Sequence, residues 1–423
     1  VYKEVLTLKK AGHNIEIITP HNTTRTKEIE GIKVHCLTKE GVSGSTACRL
    51  IKKALEKNYD LYYCHELDPL VYSLLLRWIT KKPIIWDCHE YLVPMKKELQ
   101  GNLAAFLTDI AIKIAAPRVN HIVTVDNLLG RQLASLNNTT VIPNYPTLKD
   151  FPVTERITDR KIPNLLYVGG LTEERGLKVM LKSLKIVKSE IEVKLTLVGG
   201  FYNKELENWA KNYDKKNALD IEWVGWIDYR DLAPIFSRAT LGLCLLQDQA
   251  RYDRAIATKI FEYLLMGIPV LTSRGYLVEK LIQKAECGKT VDATNVSEVA
   301  KGMINLLKNN NLEKMGERGA DFSRKKFIWE KRENNLLRII EKMINMLNWF
   351  LIKPHFICFE EAPKTQGVFP IKYAKWLTKS PQFGSFPCSK LNCIFTVHWV
   401  SQPEAPVSST DPRYKILYLR VRI

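Results

Sequence analysis

The chain has 423 residues, of which 46% are apolar and 26% are charged, so it can bury a sizeable core and is not wholly disordered. Its 63 basic residues exceed its 45 acidic residues, which gives a net charge of +18. This surplus favours anionic partners such as nucleotides, nucleic acid or anionic lipid. Apolar stretches such as residues 240–246 fall far short of the roughly 18 residues that a spanning helix needs, which excludes a transmembrane protein.

The nine cysteines are scattered and include no Cys-x-x-Cys pair. This pattern favours free thiols in a reducing compartment over a disulfide scaffold or a zinc ribbon. No signal-peptide pattern opens the sequence, and we therefore expect a cytoplasmic protein.

Short runs rich in Ile, Val and Leu alternate with amphipathic helical windows as far as residue 346. The predicted strands are 15–19, 33–37, 60–64, 83–87, 121–125, 164–168, 193–198, 221–224, 241–246 and 269–272. The predicted helices between the later strands include 177–188, 204–215 and 297–308. Nearly all of the strand runs lack polar alternation, as strands buried on both faces do. The alternation predicts two α/β domains, each a doubly wound parallel sheet.

We expect an N-terminal domain over residues 1–150 and a second domain over 151–346, because the proline-rich segment 141–163 separates two series of strands. Residues 347–423 hold 8 of the 19 prolines and show no convincing alternation. They form an unassigned tail: either an appendage unrelated to function, disordered or not, or a small accessory or membrane-docking module.

The chain opens on a predicted helix, Tyr2–Lys10, that stops at Gly12. A Rossmann-like domain normally begins with a strand. We therefore predict that a first strand and its glycine-rich turn are missing, and that the chain is an N-terminally truncated fragment.

In an open parallel sheet, ligands bind at the carboxyl ends of the strands. The strand 164–168 ends in Gly169 and Gly170, and Arg175 and a helix follow. Such a turn lets backbone approach a phosphate, and the arginine adds a cation. Gly199 ends the next strand in a similar way. Plain tight turns with a solvated arginine would give the same pattern.

A third candidate lies on the helix after strand 241–246. Lys259 and Glu262 are three residues apart and share a helix face. The carboxylate could accept two ribose hydroxyls and the lysine could meet a phosphate. An intrahelical ion pair is the alternative interpretation.

Two imidazole–carboxylate clusters follow neighbouring strands of the first half. One contains His65 and the other His89. Histidine titrates near neutrality and suits acid–base or hydrogen-bonding roles. A buried structural histidine is equally compatible with either position, and no His-x-x-x-His spacing supports a zinc site.

Taken together, these segments resemble a retaining glycosyltransferase of the GT-B fold and of the family 4 type. The segments that carry the resemblance are 2–17, 64–68, 86–91, 142–144, 167–176, 258–270 and 327–329. They cover the chain to about residue 346, and their joint order is more specific than any one of them. The last segment resembles the start of a C-terminal helix that crosses back to the first domain.

The resemblance implies roles for the candidates. Glu262 would bind the donor ribose, Arg175 and Lys259 would neutralise the leaving diphosphate, and His89 would hydrogen-bond the transferred sugar. Further substrate-binding positions implied by the resemblance are Gly169, Gly170, Gly199, His65 and Phe261. No metal and no cofactor are implied, because the nucleotide-diphosphate sugar is a substrate and fixed cations stabilise the departing charge.

Three departures accompany the resemblance. Arg254 stands where the family's Glu-x7-Glu motif has its first glutamate. Arg175 replaces the usual lysine of the diphosphate turn, and Gly170 replaces its other basic residue. The glycine-rich loop of the first domain would precede Val1.

We therefore expect a hexosyltransferase that moves a sugar from a nucleotide-diphosphate donor to a glycan or lipid-linked acceptor. A role in polysaccharide biosynthesis and peripheral contact with anionic membrane would suit the basic surplus. A sugar-nucleotide epimerase of the same fold is the alternative enzyme. A basic nucleic-acid-binding protein is a weaker alternative, because no nucleic-acid motif appears and basic residues do not cluster with aromatic ones.

Overall fold

The computed structural model describes residues 1–38, 43–152, 161–247, 256–352 and 415–420. The chain forms two compact units, one of Val1–Ile344 with Pro412–Ile423 and one of Asn345–Asp411. Of the second unit the structure describes residues 345–352, which are helical. All strands of the described chain lie in the first unit.

Helices and strands alternate along the first unit. The strands are β1 (Asn14–His21), β2 (Arg25–Ile29), β3 (Ile32–Thr38), β4 (Leu61–His65), β5 (Ile84–Cys88), β6 (His121–Thr124), β7 (Thr139–Val141), β8 (Asn164–Val168), β9 (Lys194–Val198), β10 (Ile221–Gly225), β11 (Leu241–Cys244), β12 (Val270–Ser273), β13 (Gly288–Val291) and β14 (Lys415–Arg420). The helices are α1 (Tyr2–Lys10), α2 (Ser43–Leu55), α3 (Leu67–Thr80), α4 (Leu92–Gln100), α5 (Asn102–Ala115), α6 (Asn127–Ala134), α7 (Leu177–Lys188), α8 (Lys204–Asn217), α9 (Ala233–Phe236), α10 (Thr258–Leu265), α11 (Tyr276–Ala285), α12 (Val296–Leu307), α13 (Leu312–Lys326) and α14 (Glu333–Ile352).

The strands form two sheets. The N-terminal sheet has the order β2-β3-β1-β14-β4-β5-β6-β7 and is parallel except for β2. Strands β4, β5 and β6 are buried along their whole length, because helices cover both faces of the sheet. The prediction of buried parallel strands is confirmed for this sheet.

The second sheet has the order β10-β9-β8-β11-β12-β13 and all its strand pairs are parallel. In chain order this is 3-2-1-4-5-6, the doubly wound arrangement. The strand order reverses between β8 and β11, and this switch point is where such sheets bind ligands. The predicted fold class, two doubly wound α/β domains, is confirmed.

Strand β14 comes from the end of the chain. It lies between β1 and β4 and pairs with both in parallel. That a first strand and its glycine-rich turn precede Val1 stays a prediction. Leu417 of β14 is fully buried in the core of this domain. With β14 counted first, the N-terminal sheet also has the 3-2-1-4 arrangement, and its switch point lies between β14 and β4. The rest of the predicted tail, residues 353–414 and 421–423, lies outside the described residues.

The helices divide between the two faces of the N-terminal sheet. One core cluster contains buried side chains of α2, α3, α4, α5 and α6, and the other contains those of α1 and α14. Right-handed crossovers that proceed along the sheet in one direction place their helices on a common face. Helices α2 to α6 therefore form one layer.

The connection back to the N-terminal domain begins at Trp329. Its indole Nε1 donates to Oγ1 of Thr7 over 2.8 Å, and Glu330 accepts a hydrogen bond of 2.8 Å from the backbone N–H of Leu148. Helix α14 then packs against α1 through Leu336 and Ile340. Among the described residues, no helix combines the length and the apolar character that crossing a bilayer requires.

Candidate active site

Two glycine turns meet at the switch point of the second sheet. Gly169 after β8 has φ 137° and Gly199 after β9 has φ 140°, a region that favours glycine. A Cβ on Gly199 would lie 1.9 Å from the carbonyl oxygen of Gly169, so the two backbones touch. The N–H of Leu171 donates to the carbonyl of Gly200 over 2.9 Å and fixes the pair.

Arg175 and Lys259 converge on this turn from different elements. A Cβ on Gly169 would lie 2.9 Å from Nζ of Lys259 and 3.3 Å from Nη1 of Arg175. Nζ of Lys259 also lies 3.9 Å from the ring centroid of Tyr167, close enough for a cation–π interaction. Two cations thus face one exposed stretch of glycine backbone, which is the electrostatic setting of an anion site.

Gly176 allows the turn that carries Arg175 to lie close to the end of β11. Its φ is 81°, and a Cβ there would lie 2.1 Å from the carbonyl oxygen of Leu245 at the end of β11. The turn that carries Arg175 can therefore pack closely against the neighbouring strand end only with glycine at position 176.

Glu262 lies one helical turn from Lys259 on α10. It is buried, and Oε1 accepts a hydrogen bond of 3.0 Å from the hydroxyl of Tyr229. Burial raises the pKa of Glu262, and the charge of Lys3, the Tyr229 hydroxyl and Lys259 oppose that rise. The Tyr229 hydroxyl holds the carboxylate in place, and the charge of Lys259 acts on it.

Phe261 was expected to bind substrate, which stays a prediction, and its ring lies in an aromatic cluster. The ring is buried and packs 4.9 Å from the ring of Tyr145 and 5.0 Å from that of Phe327. Because helix α10 turns this side chain away from Lys259 and Glu262, Phe261 belongs to the aromatic core at the start of the connection between domains.

The N-terminal domain contributes a second cluster at the ends of β4 and β5. Oδ2 of Asp87 lies 3.1 Å from Nδ1 of His65 and 2.9 Å from Nε2 of His89. Asp87 is fully buried and His65 is nearly so, while 23% of the His89 side chain is exposed. His89 is therefore the more exposed of the two histidines. His65 is buried and contacts the same Asp87 carboxylate.

The charges of this cluster differ from residue to residue. Burial alone would lower the pKa of His89, but the Asp87 carboxylate outweighs it and raises the pKa to about 9. Burial dominates at His65 and lowers its pKa. At Asp87 burial is outweighed by the two histidines, so its pKa falls well below the ordinary value. The favoured state is an imidazolium at His89 paired with a carboxylate at Asp87.

Glu66 was not among the site residues predicted from the sequence. It has φ 67°, an uncommon conformation for a residue with a side chain. Burial raises the pKa of its carboxyl to about 7, while the charge of His89 opposes the rise. The signal in the sequence was only its place directly after His65.

Helix α1 supplies two more residues that sequence reasoning missed. Nζ of Lys3 donates to Oδ1 of Asn144 over 3.0 Å, and the charge of Lys3 acts on Glu262 of the second domain. Burial lowers the pKa of Lys3 to about 8, against the opposing charge of Glu262. The next residue, Glu4, has Oε2 3.7 Å from Nε2 of His65. One turn of α1 thus interacts with both parts of the site, through Lys3 at Glu262 and through Glu4 at His65.

The predicted residues therefore form two groups. Arg175, Lys259 and the two glycine turns come together with Glu262 nearby, and His65 joins His89 at Asp87. Among the described contacts the two groups are linked through α1 rather than directly. Arg254, at the position of the absent first glutamate, lies outside the described residues.

The His65, Asp87 and His89 donor atoms all lie within 4.8 Å of one another, so this cluster has donors that could hold a metal ion. Its two distances to Asp87 are those of ion pairs. The arrangement describes two imidazoles that share one carboxylate. That the site needs no metal stays a prediction.

Two family models match the chain on either side of the domain boundary. Residues 153–322 match glycosyl transferases group 1, and residues 1–145 match glycosyltransferase family 4. Both matched models describe glycosyltransferases. The Arg175–Lys259 group lies in the first of these matches, apart from the residues that α1 contributes, and the His65–His89 group lies in the second.

Curated relatives agree with this assignment at low identity. The glycosyltransferase MJ1069 of Methanocaldococcus jannaschii, itself uncharacterized, is 20% identical over 288 residues, which cover 64% of this chain and 70% of the relative. MJ1178 of the same organism, likewise an uncharacterized glycosyltransferase, is 23% identical over 180 residues, 42% of this chain and 48% of the relative. The chain thus spans about half the length of the second relative.

Solved structures show the same fold. Sucrose-phosphate synthase from Thermosynechococcus elongatus superposes with a TM-score of 0.65 at 18% identity, over 80% of this chain and 91% of that one. Anabaena HepE in complex with UDP and glucose superposes with a TM-score of 0.60 at 12% identity, over 78% of this chain and 99% of that one. At these identities the likeness establishes the GT-B fold.

Proposed function

We propose that this glycosyltransferase transfers a hexosyl group from a nucleotide-diphosphate sugar to a glycan or lipid-linked acceptor, with retention of configuration and without a metal, as family 4 enzymes do. The observation that carries the proposal is the convergence of Arg175 and Lys259 on the backbone of Gly169. Two fixed cations at a sheet's switch point match the charge of a diphosphate.

The geometry suggests a division of roles. As the donor bond breaks, negative charge grows on the leaving diphosphate, and Arg175 and Lys259 would stabilise it without rearrangement. Glu262 would accept hydrogen bonds from the ribose hydroxyls. His89, as an imidazolium, would donate a hydrogen bond to the transferred sugar. The fixed cations would supply the charge neutralisation that a divalent ion provides elsewhere.

The donor is tested by thermal shift of the full chain with UDP-, GDP- and ADP-sugars, since a ligand stabilises the form it binds. A UDP-sugar is the first choice, because HepE, a protein of this fold, was solved with UDP and glucose. We expect Arg175→Gln and Glu262→Gln to abolish the shift. Arg318→Gln, which changes a surface arginine paired with Glu286 at 3.2 Å, is the matched control. An unchanged shift in the Arg175 variant would refute the donor site.

Retention of configuration, independence from a metal and the epimerase alternative need separate measurements. The anomeric configuration of the product, determined by NMR against that of the donor, decides between retention and inversion. Undiminished turnover in a chelator supports a metal-independent mechanism. The matched families and curated relatives are glycosyltransferases, so an epimerase is no longer favoured; product formed from nucleotide sugar alone, without an acceptor, would reopen that alternative.

A further inference from the structure

Helix α5 presents its large apolar side chains outward. Leu103 is 71% exposed and Phe106 is 60% exposed, and Leu107 and Ile114 are also exposed. The residues that α5 turns toward the sheet are mostly small. They are Ala105, Thr108, Ile112 and Ala115. A surface helix normally buries its large apolar stripe, so this helix has the reverse arrangement and lacks a partner on its outer side.

The neighbouring helix α3 continues the same face. Trp78 is 71% exposed, and Val71, Leu75 and Ile79 on the same side are also exposed. Helices α3 and α5 pack against each other, so their exposed apolar side chains belong to one surface. We name the exposed apolar side chains of α3 and α5 the apolar face.

An open groove adjoins this face between α2 and α3. Its volume is about 510 Å³, and its lining includes Ile51, Leu55 and Leu75. Leu75 belongs both to the groove and to the apolar face. A groove of this kind offers space for an extended apolar chain.

The segment that contains α3 and α5 has a small positive surplus. Residues 67–118 carry seven basic and five acidic residues. The basic ones are Arg77, Lys81, Lys82, Lys96, Lys97, Lys113 and Arg118. Lys113 pairs with Asp109 at 2.7 Å and Lys82 with Asp60 at 3.7 Å, while Asp87 is paired with the histidines. Nζ of Lys81 lies 5.8 Å from the ring centroid of Trp78, so a cation stands beside an exposed indole.

We propose that the apolar face is a docking surface for an anionic lipid bilayer. Exposed Trp, Phe and Leu on helices that also carry Lys and Arg are the chemistry of a surface that lies in the membrane interface. A second copy of the chain would bring two positively charged segments together, which disfavours self-association through this face. The bilayer satisfies the apolar side chains and the positive surplus together.

The position of the face connects it with the site. Helix α4 begins at Leu92, three residues after His89, and packs against α5. A bilayer bound at α3 and α5 would therefore lie on the domain that carries His89. This step rests on the proposed function and narrows its acceptor to one that is lipid-linked.

The test is flotation of the full chain with vesicles of phosphatidylcholine alone or with added phosphatidylglycerol. We expect binding only to the anionic vesicles. Trp78→Ser and Phe106→Ser should each weaken it about tenfold, the scale of one buried large apolar side chain. Trp226→Ser is the matched control, because Trp226 is 75% exposed on the other domain.

Donor binding is measured on the same variants and should be unchanged, so that a failed docking proposal is distinguished from a failed donor site. Absence of vesicle binding, or equal loss in the Trp226 variant, would overturn the proposal. So would a lipid-free dimer that Phe106→Ser dissociates, since a second copy would then cover the face. Strong hydrogen-exchange protection of α5 in lipid-free monomer would show that another segment of the chain covers it.

Discussion

Asp87 sets the charge of the outward-facing histidine at the end of β5. Its Oδ2 contacts both His65 and His89, and it raises the pKa of His89 against the effect of burial. We therefore expect Asp87→Asn to destabilise the protein by about 3–5 kcal/mol near pH 6, the cost of breaking a buried charge pair. The residue acts through the histidines and positions them.

The pH dependence follows from the shifted pKa values. The folded pKa of His89, about 9, exceeds its ordinary value near 6.5, so its stabilising contribution is complete below about pH 6.5 and is lost as the pH rises through 9. The difference in urea stability between wild type and Asp87→Asn should be large at pH 6 and smaller at pH 9.5. Asp60→Asn, a change at the protein surface, should show no such trend. Equal differences at both pH values would contradict the assignment.

Site residues that are recognised by local spacing could be predicted from the sequence. Site residues that act on a distant segment of the chain could not. Arg175 follows a strand end, and Lys259 and Glu262 share a helix face, so local spacing was sufficient. Lys3 reaches Glu262 only because α1 packs beside the connection at Asn144. The ring of Phe261 packs against Tyr145 and Phe327, a placement that the spacing of the motif did not predict.

At the scale of elements, the paired glycine turns determine whether a diphosphate can approach the sheet. Gly199→Ala would place a methyl group 1.9 Å from the carbonyl of Gly169 at a φ of 140°, which forces the turns apart. We expect it to abolish donor binding. Gly200→Ala is a matched control one residue away, because a Cβ there meets nothing within 4 Å. Calorimetric titration with the donor checks both, and equal affinities would contradict the role of the turn.

Strand β14 is the element whose contribution is easiest to isolate. Leu417 is fully buried between β1 and β4, so Leu417→Ala should cost about 2–5 kcal/mol of folding free energy. Ile186→Ala, at a half-exposed position of α7, should cost far less. Chemical denaturation measures both variants. If the Leu417 variant were as stable as wild type, residues 415–420 would not complete the sheet in solution.

The elements that the sequence did not predict have a common physical cause. Strand β2 is exposed along its whole length, so it lacks the apolar run that marks a buried strand. Strand β7 has three residues and β13 begins with a glycine. Strand β14 lies hundreds of residues from its partners, and its pairing depends on a vacant place in the sheet rather than on local pattern.

On the scale of the whole molecule, the two domains are joined by more than the segment that links them. Trp329 donates to Thr7 of α1, and α14 then packs on the same helix. Helix α1 also carries Lys3 toward the second domain and Glu4 toward His65. One helix of the N-terminal domain therefore takes part in both groups of the site, and donor binding should depend on it.

Lys3 provides the test of this coupling. Its charge lowers the pKa of Glu262 against the effect of burial, so Lys3→Met should leave Glu262 more protonated and less able to bind ribose. We expect the donor KM to rise about tenfold at pH 7, the scale of one lost hydrogen bond to a charged group. Lys10→Met, at an exposed lysine in the last turn of the same helix, should leave KM unchanged. An equal KM in both variants would mean that the domains bind donor independently.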